Sequence, residues 1–379
     1  MIIGIICEYN PFHNGHIYHI NEIKKLYPDS TIILVMSGDI TERGDISIIN
    51  KWDKTSIALN YNIDLVIELP FIYACNSSEL FAKGAMKILN EFKVNKLIFG
   101  SELNDIDTLK LLANTQISNN YNDLVKNYLK KGMNYPTSCG RALFDLTDIF
   151  INTPNDILGL SYIKEIIINN YNIEPICIKR TNDYNSINLD NNISSATSIR
   201  NALKNNLNIN KYVPEITLKY INNIKYLDDY YKYIKYKIIS HNIDNIYGMN
   251  NHIKSRIYKY INSSNNIDEL INNIKSKNYT YIRIKRLLIY ILFDITNDNL
   301  DNFKNYIRIL GFNNKGKNYL NKVKKDINLP IITNYSNGKN LLNIDNKINN
   351  ILNLELPNQF CIEFKEKVRI IVDNDNNIC

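Results

Sequence analysis

The 379-residue chain is 45% hydrophobic and 22% charged, a globular composition that excludes a disordered polyelectrolyte and leaves room for two folding units. Its formal charge of +7 is unevenly spread: residues 1–200 carry 18 Lys/Arg against 22 Asp/Glu, net −4, and residues 201–379 carry 27 against 16, net +11. No apolar run reaches the roughly 18 residues that cross a bilayer, and the N-terminus lacks the basic stretch and cleavage site of a secretory signal, so a cytoplasmic protein without membrane contact is expected.

The first half alternates short apolar runs with helical spacing. Ile2–Cys7 reads as a buried strand, followed by a helix over Ile17–Leu26, a strand over Thr31–Met36 and a helix over Thr55–Tyr61. Leu65–Leu69 is a third strand, Ser78–Glu91 a helix, and Lys96–Phe99 a fourth strand ending at Gly100. A further unit pairs the helix Asp156–Asn169 with the strand Glu174–Lys179, and a helix starts near Ser195. This alternation implies a parallel sheet with right-handed crossovers. From about residue 205 the Lys/Tyr/Ile/Asn-rich segments turn helical, most clearly over Ile282–Phe293 and Asp301–Leu310, with few strand signals before Val368–Val372. The expected organisation is therefore 1–204, α/β, and 205–379, mainly helical.

Six cysteines, Cys7, Cys75, Cys139, Cys177, Cys361 and Cys379, show no CxxC pairing, so neither a zinc site nor a disulfide framework is legible. The heavy use of Asn, Ile, Lys and Tyr reads as codon bias from an A/T-rich genome.

The strongest chemical signal follows the first strand: Cys7, Glu8, Tyr9, Asn10, Pro11, Phe12, His13, Asn14, Gly15 and His16, with His19 one turn on. Ligands of an open parallel sheet bind beyond the carboxyl ends of its strands. Here the chain leaves such an end, turns, and enters a helix at Gly15, whose free N–H groups and dipole suit a phosphate. His13 and His16, three residues apart, share a face from which imidazoles can donate to phosphate oxygens as charge builds. The second signal is Ile193–Arg200, ISSATSIR. Its Ser194, Ser195 and Thr197 hydroxyls, helix N-terminus and Arg200 would make a triphosphate clamp; alone it reads equally as a capped helix start.

Together these segments match the paired signatures of nucleotidyltransferases with a Rossmann-like, class I synthetase-type fold. EYNPFHNGH, MSGDITERGD (36–45), NKWDK (50–54), DLVIELP (64–70), FGSE (99–102), PNDILG (154–159), IKR (178–180) and ISSATSIR, in that order, resemble the bacterial tRNA(Met) cytidine acetate ligases, densely over residues 1–200. The resemblance implies an α/β nucleotidyltransferase domain and a helical tRNA-binding half. It implies activation of acetate by ATP as acetyl-adenylate, then transfer to N4 of the wobble cytidine of elongator tRNA(Met). It places Cys7–His19 on ATP, with His13 and His16 on the phosphates and Gly100, Asn155 and Arg180 as further nucleotide contacts. Asp39 and Asp156 stand where the family more often has Asn and take no role. Mg²⁺ is expected as the counter-ion of ATP, with no dedicated metal cage and no protein partner legible.

Arg43 and Lys51 are candidate phosphate or acetate contacts, with solvated surface charge the alternative. Trp52 is expected in the core. In the basic half, lysines alternate with tyrosines over 219–237, and Arg283, Lys285 and Arg286 form a cationic knot suited to tRNA phosphates. Two rivals remain at this level. A small-molecule adenylyltransferase would make a dinucleotide without tRNA. A non-catalytic RNA-binding protein would bind tRNA without ATP–pyrophosphate exchange.

Overall fold

The computed structural model describes residues 1–180, 193–356, 363 and 365–371. Five strands alternate with helices as expected: β1 Ile2–Cys7, β2 Thr31–Ser37, β3 Leu65–Leu69, β4 Lys96–Ser101 and β5 Glu174–Lys179. They pair in parallel in the order β5-β4-β1-β2-β3, and their carboxyl ends align, Cys7 beside Met36 and Gly100 beside Ile178. β2 and β3 are buried along their whole length, which is why they read as continuous apolar runs rather than alternating ones. One face packs Ile33, Val35, Ile67 and Phe99 under Phe81, Leu89 and Leu160. The other packs Ile3, Ile5, Leu34 and Val66 under Ile23, Trp52 and Ile57. Trp52 is thus core, as expected, with the Arg308 guanidinium 5.4 Å from its ring centre.

Helix boundaries differ where a cap was unread. The helix assigned to Thr55–Tyr61 begins at Lys51, because the Asn50 side chain accepts from the N–H groups of Trp52 and Asp53. Three further helices, Ile106–Ile117, Asn119–Lys130 and Tyr135–Thr147, fill a stretch that gave no sequence assignment; Asp105, Ser118 and Asn134 cap them.

The second half is mostly helical, with Tyr231–Ser240, Asn251–Tyr260, Ile267–Ile274 and Tyr281–Phe293 closing around Tyr230, Ile234, Leu288 and Ile291. The expected helix over Asp301–Leu310 is corrected. Only a short helix, Asn297–Asp301, forms there, and the chain then runs into β6, Ile307–Asn313, antiparallel to β3. Ile307 and Ile309 complete one face of the sheet while Leu310 joins the other, so a two-sided buried strand mimicked a helix period. β7, Ile331–Ile332, and β8, Arg369–Ile371, pair with β6 in parallel. Val372, the last residue of the strand expected near the C-terminus, lies outside the described residues, as do Cys361 and Cys379. The sheet therefore draws strands from both sides of residue 204.

Gly316, in the first turn of the helix Asn314–Val323, lets that helix close on the sheet. A Cβ there would lie 1.8 Å from the Asp64 carbonyl oxygen, a contact with rigid backbone. Gly316→Ala is therefore expected to lower stability by about 2 kcal/mol or more, read as a drop in the urea midpoint at unchanged slope.

Candidate active site

β1 is the topological switch: the chain moves outward from it to β2 and β3, then returns to place β4 on its other side. The crevice beyond the carboxyl ends of β1 and β4 is where an open α/β sheet binds its ligand. A cavity of about 970 Å³ opens there. Cys7, Glu8, Tyr9 and Asn10 line it from the end of β1, and His13, Gly15, His16 and His19 from the following helix, Asn14–Leu26.

The two histidines form a reciprocal helix cap. His13 Nδ1 accepts from Gly15 N at 3.0 Å, and His16 Nδ1 accepts from His13 N at 3.1 Å; the rings stack with centres 3.8 Å apart. With Nδ1 of each ring accepting, the proton of each neutral imidazole is on Nε2. Burial pushes His13 down to about 3 and His16 well below the ordinary histidine value, so both stay neutral single donors at physiological pH. His19 is likewise held down, to about 4, by burial, and its Nε2 is a buried atom with no hydrogen-bond partner among the described residues. Not every residue of the motif faces the cavity. Phe12 is fully buried against Tyr9 and Tyr61, and the Asn14 amide donates to the Lys211 carbonyl. Neither these two nor Pro11 lines the cavity.

These shifts have a stability consequence. Between about pH 3 and 6.5 the native His13 ring binds less proton than the unfolded one, so its contribution to stability rises with pH and is lost on acidification through that window. Glu42 and Glu68, which burial raises to about 7 and about 8, contribute in the opposite sense. The change in urea midpoint from about pH 5 to about pH 7 is expected to be less positive in a His13→Asn variant, which has one titrating ring fewer, than in the wild type.

The N-terminus of the helix Ala196–Lys204 forms the adjoining wall. Ser195 is its N-cap, its Oγ accepting from Ser198 N at 3.0 Å, while Ser194, Thr197 and Arg200 line the cavity beside it. Arg200 spans the two motifs, donating to the Asn10 carbonyl at 2.7 Å and to Thr197 Oγ1 at 3.3 Å. On the β4 side, Gly100 lies under Arg180: a Cβ there would meet Arg180 Cγ at 3.2 Å. Glu102 links Arg180, 3.4 Å away, to Asn155, whose amide donates to the same carboxylate oxygen at 2.6 Å. Asp156 accepts from Ser101 Oγ, Thr153 Oγ1 and Leu103 N, and Asp39 accepts from Lys51 N. Both carboxylates are buried. Burial holds the Cys7 thiol up at about 12, far from a nucleophilic thiolate.

The basic candidates divide. Arg43 lines the cavity. Lys51 does not: it is buried on the other side of its loop, donating to both Glu68 oxygens at 2.9 and 3.0 Å and paired closely with Glu363. Its neighbours in sequence, Asn50, Trp52 and Asp53, gave no hint that carboxylates from β3 and the C-terminal segment would converge on it. Of the cationic knot, Arg283 is exposed and lines the cavity, 4.9 Å from the Tyr279 ring centre. Lys285 is paired with Asp45, and Arg286 with Glu42 at 2.8 Å, so these two fasten the 41–45 loop rather than face solvent.

Sequence reasoning missed Lys54. Its fully buried Nζ donates to the carbonyls of Glu8 at 3.0 Å, Ser37 at 2.9 Å and Gly38 at 2.7 Å, binding the ends of β1 and β2 together. Burial lowers it to about 8. The polar segment NKWDK gave a helical lysine no signature of three waiting carbonyls.

The family model for the HIGH nucleotidyl transferases matches residues 1–367. A protein of Fusobacterium nucleatum named tRNA(Met) cytidine acetate ligase is 39% identical over 362 residues, 90% of each chain. One of the same name from Clostridium tetani is 37% identical over 97% of this chain and 96% of its own. Among solved structures, the apo form of Thermotoga maritima TmcAL superposes with a TM-score of 0.91 at 28% identity, covering 98% of this chain and 99% of that one. A second form of that protein, bound with alpha-thio ATP, gives 0.88 over the same shares.

Proposed function

The chain belongs to the HIGH nucleotidyl transferase family and, within it, to the tRNA(Met) cytidine acetate ligases, and from this we propose that it uses ATP to activate acetate and passes the acetyl group to N4 of the wobble cytidine of elongator tRNA(Met). The observation that carries the reading is that two candidate anion sites line one cavity: the histidine pair, with a neutral Nε2 donor on each ring, and the Ser195-capped helix start, tied to it by Arg200. In the first step an acetate oxygen attacks the α-phosphate in line. The bond to the β-phosphate breaks, and the leaving pyrophosphate gathers charge that these donors meet without reorganising. Gly100 would let the nucleoside approach β4, with Asn155 and Arg180 lining the cavity beside it and Glu102 holding those two together. Mg²⁺ would arrive with ATP. No group of three or more His, Cys, Asp and Glu among the described residues is placed to hold a metal ion, so no step is assigned to one.

The +11 charge of residues 201–379 supports tRNA on that side. Because β6 and β8 belong to the sheet, the tRNA-facing part of the second unit would be its helical portion, 231–293, with Arg283 at the cavity rim. Such an enzyme would work in the cytoplasm, and no helix among the described residues is long and apolar enough to cross a membrane.

Incubation with ATP, labelled acetate and tRNA(Met) is expected to yield acetate-dependent ATP–pyrophosphate exchange and N4-acetylcytidine. A dinucleotide product without tRNA dependence would refute the reading, as would tRNA binding without exchange. Arg283→Glu is expected to weaken tRNA binding several-fold and to reduce its salt slope by about one, with exchange unchanged.

A further inference from the structure

The cavity has a second wall that the nucleotide does not explain. It is built from the 41–45 loop after β2 and the first turns of the helix Tyr281–Phe293, and Thr41, Glu42, Asp45, Arg283 and Arg286 line it. The loop is fastened at three points. Lys285 pairs with Asp45, Arg286 Nη1 donates to Glu42 Oε1 at 2.8 Å and to the Asn76 carbonyl at 2.7 Å, and Glu42 N donates to Glu8 Oε1 at 2.6 Å. Gly44, at φ +74°, completes the fit, because a Cβ there would press on the Arg286 backbone at 3.3 Å.

Glu42 therefore stands at the seam, one hydrogen bond from the residue that leaves β1 and one from the helical half. A base entering past Arg283 toward an acetyl group on the nucleotide wall passes this carboxylate. We propose that Glu42 accepts the proton of the cytidine amino group during acetyl transfer, with Arg286 as its positioning residue. This rests on the acetate ligase reading above. The N4 lone pair forms the C–N bond to the acetyl carbonyl carbon, the C–O bond to AMP breaks with its electrons leaving on the phosphate, and the N4 proton passes to Glu42. Such a base is needed because the amino lone pair is delocalised into the ring and attacks only as its proton leaves.

The surroundings favour Glu42 over its neighbours. Burial outweighs the Arg286 and Arg43 cations and, with Glu8 beside it, raises Glu42 to about 7. Asp45, held by Lys285 and Arg200, is lowered and is a weaker base. Glu8 is raised by burial, but its Oε1 is committed to the Glu42 N–H. The nearby Cys75, Tyr162 and Tyr290 are all pushed up and stay neutral.

The two half-reactions separate the test from the reading beneath it. For Glu42→Gln, ATP–pyrophosphate exchange with acetate is expected within about threefold of wild type, because the first step does not use this base. Single-turnover transfer from synthetic acetyl-adenylate to tRNA(Met) should be about 10²–10⁴-fold slower and lose the wild-type inflection near pH 7, with Glu42→Asp restoring part of the rate. Transfer by Glu42→Gln at the wild-type rate, or an inflection that persists in it, would overturn the proposal. So would equal loss of exchange and transfer in a variant whose unfolding midpoint is unchanged. Absence of acetate-dependent exchange in the wild type would instead refute the acetate ligase reading itself.

Discussion

His13→Ala is expected to slow acetate-dependent ATP–pyrophosphate exchange by about 10²–10³-fold, the usual loss for one preorganised donor to a developing oxyanion. The same substitution removes a helix cap, because His13 Nδ1 accepts the Gly15 N–H, and should lower stability by about 1 kcal/mol. His13→Asn separates the two effects. Its Oδ1 can keep the cap, while no N–H reaches the place of Nε2, so the rate should fall with stability largely restored. The ring is already neutral above about pH 3, so wild-type exchange should show no inflection at the ordinary histidine value that His13→Asn abolishes. Full activity in either variant would remove His13 from the mechanism.

Lys51→Met should fail differently. Lys51 is 1% exposed and lies between Glu68 and Glu363, themselves buried; Arg308 pairs with Glu363 at 3.3 Å, and Asp345 accepts from Tyr306 Oη at 2.7 Å. Two cations thus face three carboxyls, and burial raises Glu68 to about 8 and Asp345 as well, so a proton held among the acids balances the cluster. Removing Lys51 leaves buried negative charge uncompensated and should cost about 3–5 kcal/mol in urea unfolding. The carboxyls would then hold protons more tightly in the native than in the unfolded state, so the deficit should widen as pH rises and narrow as it falls. ATP affinity of the folded fraction should not change, since Lys51 does not line the cavity. A raised KM for ATP with intact stability would restore Lys51 as a contact.

Much of the site was legible because its chemistry is local. A glycine after a strand, histidines three apart and hydroxyls before an arginine are arrangements within one turn, set by helix geometry, and the parallel pairing of the first five strands followed from the strand–helix alternation, though their order did not. What was illegible depended on partners distant in the chain. Arg283, Lys285 and Arg286 are near-identical cations in sequence, yet Asp45 and Glu42, some 240 residues away, take two of them and leave the third at the rim. β6 was misread for the same reason: its pattern is that of any apolar segment until β3 offers an edge.

By itself the sequence determined the parallel α/β scaffold, the two motifs that meet at the cavity, the family and the basic half. Periodicity encodes the scaffold and one-turn spacing the motifs, while the order of the motifs along the chain carries the family resemblance and composition the basic half. Only the tertiary structure decided which charges are available. Lys51 and Lys54 differ by three positions on one helix, but one meets carboxylates and the other carbonyls, and neither reaches the cavity. Whether a charged side chain binds a ligand or holds the fold depends on what surrounds it, and a buried ion must take the nearest complementary group, wherever the chain has carried it.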